Sequence, residues 1–318
     1  MAAGAVFFIR QHRAPVPLFD LRVAHRRLFW VPAVAGLIVF GALTAMIYVG
    51  QQFVQNVLGY SPLEAGLAIV PSAALMMLIS PVSAWLIQAR GSRFTLLAGY
   101  LSSFAGFAVM LALWRDGIGY GLVFLGYALM GMGARLAGTP ATNSLTGSVP
   151  VQRAGMASAT ADLQGDLGGA IMQSVLGALL AAGYAKHIGD AVAASPDRSR
   201  ITSSILSELQ RSFASAEQIA RRYPGYADKI TRGARAAFET GSHWAHAAGI
   251  AAVVLGAVVV FLAFPRKRQE QELLASHHEQ DAERARLPLG MLTLPGSQRR
   301  QDRKAPLPRH AVTRMARA

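Results

Sequence analysis

From Leu28 to Leu63 no residue is charged. A bilayer is crossed by about 20 apolar residues in a helix, so this run is more than long enough. Comparable runs recur along the chain. In hydrocarbon every backbone N–H and C=O must find its partner within the protein, which leaves helices as the only form open to such segments. The expected fold is therefore all-α: a polytopic membrane protein with six transmembrane helices in a half-bundle, spanning 29–57, 62–88, 94–114, 117–141, 154–185 and 241–265. Only 15% of residues are charged, against about 25% in soluble domains.

The charges that remain are bunched. Twelve of the 31 Lys and Arg follow residue 265, and nine more lie between 186 and 240. Most others flank apolar runs. The net charge of +14 is thus a matter of membrane topology, and no nucleic-acid partner is expected. With six spans, the arginines of 10–27, Arg90, Arg93, Arg153 and Arg266 to Arg268 all fall on one side. The positive-inside rule makes that side cytoplasmic. It predicts a multi-pass protein with both termini in the cytoplasm, and the excess of Arg over Lys with abundant Ala and Gly points to GC-rich bacterial coding, hence to a bacterial inner membrane. Cysteine is absent, which excludes disulfides and thiolate metal sites. The first residues lack the basic flank of a signal peptide. Residues 1–27 read as the end of a preceding helix followed by a basic loop.

Local signals set the helix boundaries. Ser61, Pro62 and Glu64 form the pattern of a capping box with proline at the first helical position, which gives Glu64 a structural role. Pro71 and Pro81 should bend the helix that follows. Residues 186–240 read as an extracytoplasmic loop with amphipathic helices, because apolar residues between Ile201 and Tyr223 recur at helical spacing. Residues 266–318 read as a basic, disordered cytoplasmic tail.

Chemistry concentrates in the fifth span. Asp162 and Asp166 lie four apart and share a helix face. Each costs about 2.5–3.5 kcal/mol near a bilayer centre, and such residues mark protein interiors or water-filled paths. Asp162 is near enough to the helix start to be interfacial instead. Ala157, Ala161, Gly165, Gly169 and Gly177 run beside them as a ridge suited to close helix packing. Arg135, in the fourth span, lies at matching depth: all three fall within about 4–11 Å of the midplane on one side. An ion pair between Arg135 and an aspartate is therefore allowed, with the second acid left to exchange protons; a static structural pair is the alternative. Gln51 and Gln55 share a face at the outer end of the first span. They either line a cavity or mark the headgroup region. His243 and His246 have no partner ligands in the pattern and read as incidental. Catalytic and phosphate-loop motifs are lacking, so neither enzyme activity nor a cofactor is expected.

The run from Gln55 through Gly59, Pro62 and Gly66 to Leu67, followed by Pro71, resembles the fourteen-helix drug:proton antiporter branch of the major facilitator superfamily, the EmrB/QacA type. Gly131 to Pro140, Val149-Pro150, Gly155 to Ser158 and Leu167 to Ala170 resemble later helices of that group. Residues 84–93 align with the superfamily's cytoplasmic loop motif, keeping Gly91 and Arg93 but carrying Gln88 where the motif has aspartate. The resemblance is to the C-terminal six-helix half. It implies proton-coupled efflux of small, often amphipathic molecules, with the substrate site shared with a second half on another chain or in a homodimer. The alternative is a truncated or partner-dependent membrane protein without transport of its own. The expected partners are the lipid bilayer, a small-molecule substrate and protons.

Overall fold

The computed structural model describes Arg10 and residues 20–150, 153–196, 198 and 201–286. It divides into two units, Met1–Glu270 and Gln271–Ala318. The first contains a short α1 (Leu21–Ala24), then α2 (Arg27–Asn56), α3 (Pro62–Arg90), α4 (Ser92–Leu113), α5 (Tyr120–Gly147) and α6 (Ala154–Ala193). These are followed by α7 (Ser203–Arg211), α8 (Phe213–Arg222), a 3-10 turn at Pro224–Tyr226 and α9 (Ala227–Ala263). The last helix, α10 (Lys267–Arg286), begins in the first unit and runs into the second. Its Gln, Glu, Leu, Ala and Arg are strong helix formers, and they give helix in a stretch whose charge suggested none.

Among the described residues, six helices, α2 to α6 and α9, are long and apolar enough to cross a membrane. This is the six-span half-bundle expected from the charge-free runs. The start of α3 carries a complete capping box: Ser61 N donates to Glu64 Oε2 at 2.8 Å, and Glu64 N donates to Ser61 Oγ at 3.3 Å. Gly91 ends the helix with φ at 91°, a left-handed conformation that glycine adopts without a Cβ penalty.

Counted in chain order, the spans make two triples, α2-α3-α4 and α5-α6-α9. Successive spans alternate in direction, so the triples have opposite senses. Helices adjacent in sequence are not always neighbours in space. The second helix of each triple packs on the first helix of the other: α3 lies along α5, and α6 lies along α2. Both seams rest on a glycine. A Cβ at Gly168 would sit 2.2 Å from Leu37 O, and one at Gly131 would sit 2.2 Å from Ser72 O. Within lipid, where no hydrophobic drive favours association, such backbone contact is a main source of packing energy.

Helices α6 and α9 have 40 and 37 residues, well beyond what a bilayer needs. Their excess projects past the end of the bundle away from the arginine-rich loops. There α7, α8 and the 3-10 turn pack against them. Arg235 on α9 pairs with Asp116 at 3.4 Å, and the backbone N–H of Asp116 donates to Glu239. These contacts tie the projection to the turn between α4 and α5.

Candidate functional site

Helix α6 has two unlike faces. One packs on α2 through Gln164, Gly168 and Met172, all buried. The other carries Asp162 and Asp166, both exposed, with Leu163, Leu167 and Ile171. Residue 164 stands about 200° around the helix from each aspartate, since each residue turns by about 100°. Burying Gln164 therefore aims both acids away from α2.

The packing seam follows the ridge of small residues read from the sequence only in part: Ala157 is buried, Ala161 packs against the same cluster, and a Cβ at Gly169 would meet Thr44 of α2 at 3.2 Å. A Cβ at Gly165 would meet nothing within 4 Å, and at Gly177 only Tyr48, at 3.3 Å. The tightest contacts run through Ala157 and Ala161 and then through Gln164, Gly168 and Met172. Steps of four residues drift by about 40° each around an α-helix. A ridge spaced strictly by fours winds off the contact line, and one step of three restores it. Gln164 is the polar member of the true seam. Its Nε2 donates to Pro32 O at 2.9 Å and to Ala33 O at 3.3 Å. A buried polar residue at helical spacing from Ala157, Ala161 and Gly168 was the available signal for it.

Arg135 is half-buried between α5 and α3. Its Nε and Nη2 donate to Ser80 Oγ at 3.0 and 2.6 Å. Among the described residues, no ion pair joins it to Asp162 or Asp166. Matched depth alone does not bring them together, because α2 lies between α5 and α6, and those two consecutive helices touch only slightly. The three charges are thus placed as one base on one seam and two acids on the free face of another helix.

The two glutamines also part. Gln51 Nε2 donates to Ala65 O at 2.8 Å and to the Tyr127 hydroxyl at 3.2 Å, so it links α2 to α3 and α5. Gln55, one turn on, is exposed. Below Gln51 lies an aromatic cluster. Trp114 stands 5.2 Å from Phe53 and 5.6 Å edge-on to Tyr127. His246 joins it, fully buried and edge-on to Trp114 at 6.0 Å. It belongs to the buried stripe of α9 with Ser242, Gly249 and Val253, a role that the sequence reading, which set it aside, did not assign. Neither of its ring nitrogens has a hydrogen-bond partner among the described residues. Those residues also hold no group of three metal-ligating side chains.

Six membrane-length helices, in chain order two triples of opposite sense, pack as a half-bundle with ionisable side chains inside the spans. The sequence model of the Major Facilitator Superfamily matches residues 3–173, more than half of the chain, and the protein belongs to that superfamily. It is 33% identical over 182 residues to the multidrug resistance protein Stp of Mycobacterium tuberculosis, covering 57% of this chain and 34% of that protein. It is 27% identical over 273 residues to the multidrug efflux pump LfrA of Mycolicibacterium smegmatis, covering 84% of this chain and 51% of LfrA. Its identity to the tetracenomycin C resistance and export protein of Streptomyces glaucescens is 31% over 193 residues, 59% of this chain and 34% of that one. The chain spans 34% to 51% of the length of these relatives.

Proposed function

We propose that this chain forms the C-terminal half of a proton-coupled efflux permease of the fourteen-helix EmrB/QacA type. It would export small, amphipathic molecules from a bacterial cell, with its arginine-rich loops and both ends of the six-span bundle in the cytoplasm. The observation that carries the reading is the acidic face of α6. Two aspartates inside a membrane span, uncovered by the rest of the bundle, are costly against lipid. A water-filled cleft between this half and a second one removes that cost and gives the acids access to protons. The second half is either continuous with this one or on another chain, or is a second copy.

Asp162 and Asp166 then exchange protons as substrate moves. Arg135, steadied by Ser80 on the α3–α5 seam, holds a positive charge apart from the two acids, and Gln55 lines the outer end of the cleft. Gln51 shapes that end by fixing α2 to α3. The relatives' names, which speak of multidrug resistance and export, support the efflux direction and the substrate class.

The test is dye transport in everted membrane vesicles containing both halves, driven by an imposed proton gradient. Ethidium should be taken up by the unaltered protein. Asp162→Asn and Asp166→Asn should each lower the rate, and the double variant should abolish it at unchanged protein level. Undiminished uptake by the double variant would end the proton-carrying role. A second reading, a membrane protein without transport of its own, is favoured by the same uncovered face: alone, the half-bundle should give no uptake.

A further inference from the structure

The projecting ends of α6 and α9, together with α7, α8 and the 3-10 turn, enclose a cleft of about 500 Å³. That volume falls in the range of small-molecule sites, roughly 300–1,000 Å³. Its walls come from every one of these elements. Ile188 and Val192 lie on α6, Ile205 and Leu209 on α7, Ile219 on α8 and Ile230 on α9. Among the described residues that line it, Lys229 alone is charged, and the hydroxyls of Ser195, Tyr223 and Tyr226 supply a few polar groups. An apolar hollow with a few polar groups at its edge is the usual make-up of a small-molecule site.

The cleft is not part of the membrane-embedded face. At its level the outward side chains are charged: the exposed Lys186–Asp190 pair on α6, and Asp228 and Arg232 on α9. The surroundings are therefore aqueous, which disfavours a bilayer acyl chain as occupant. All the walls are helices and turns, with no strand edge to which an extended peptide could add. What fits is a compact molecule. At Gly233, which lines the cleft, a Cβ would meet nothing within 4 Å, so the hollow is open on that side.

We propose that this cleft is a binding site for a small, largely apolar molecule of drug size, distinct from the acidic face of α6. The site stands on its own geometry, and its test reads binding rather than transport.

The absence of native cysteine makes alkylation a clean probe. Ala191→Cys places a thiol in the cleft wall, and Ala193→Cys places one at an exposed position of the same helix outside the lining. Each variant, in lipid nanodiscs, is reacted with a water-soluble maleimide, with and without N-phenyl-1-naphthylamine. With the probe at about ten times its Kd, the rate at Ala191→Cys should fall about tenfold, the ratio of total to unoccupied site. The rate at Ala193→Cys should not change. Gly233→Leu adds an isobutyl group to the lining at a position where a Cβ meets nothing within 4 Å, and added to Ala191→Cys it should remove the protection. An unchanged rate at Ala191→Cys would overturn the proposal. So would equal slowing at both positions, or protection that survives Gly233→Leu.

Discussion

Helices α3 and α6 hold equivalent places in the two triples, and their free faces differ in kind. Each docks on the first helix of the other triple through a backbone-close glycine contact, Gly131 against Ser72 in one seam and Gly168 against Leu37 in the other. Each leaves much of its surface uncovered. On α3 that surface is apolar: Leu67, Met77, Leu78, Val82 and Trp85 are all exposed. On α6 it includes Asp162 and Asp166. The first face can lie against lipid at no cost. The second cannot, at about 2.5–3.5 kcal/mol per carboxylate near the bilayer centre. Two helices with the same packing role thus divide the outer surface of the half-bundle into a part suited to lipid and a part that needs water or protein.

The seams should be the most sensitive feature. Gly168→Leu drives a side chain into the backbone of α2, where nothing flexible can give way. It should cost more than the roughly 1–3 kcal/mol of ordinary overpacking and leave little folded protein, seen as loss of the monodisperse peak in detergent. Gly165→Leu, three residues away and facing open space, should leave that peak intact. If both were tolerated, the seam would not be where the contacts place it.

Next in size is a swap of face character. Met77→Asp puts a carboxylate on the apolar face of α3 and should destabilise insertion by about 2.5–3.5 kcal/mol, read in a glycosylation-based insertion assay. Asp166→Asn should leave insertion nearly unchanged while lowering proton-driven dye uptake. No insertion cost for Met77→Asp and no loss of uptake for Asp166→Asn would erase the difference between the two helices. Gln164→Leu removes two buried hydrogen bonds to α2 and should cost about 1–2 kcal/mol, measured as a lowered thermal midpoint. The smallest effect is at the cap of α3: Ser61→Ala should cost about 1 kcal/mol, in the same measurement.

The spans were legible because the bilayer imposes them: a charge-free run long enough to cross has one structural solution. The capping box was legible because its residues are local. What was not legible is which helices touch. Asp166 and Arg135 match in depth on consecutive helices, yet α2 stands between those helices. Depth follows from position in the chain, while lateral order depends on the whole bundle. The small-residue ridge held only in part, at Ala157, Ala161 and Gly169, since spacing by fours tracks a line that drifts around the helix and leaves Gly165 off the contact line. Gln164 fell between two aspartates that drew attention to the opposite face. His246 offered only its place on a stripe of small residues, and the cleft beside α7 and α8 arises from five elements that no single stretch of sequence brings together.

The central claim is that the acidic face of α6 meets water within the membrane while the corresponding face of α3 meets lipid. With no native thiol to interfere, the direct measurement is the alkylation rate of Asp166→Cys and of Met77→Cys in native membranes by a small water-soluble maleimide. The account predicts ready modification at 166 and almost none at 77. Protection of both positions alike, or modification of 77 in preference to 166, would contradict it.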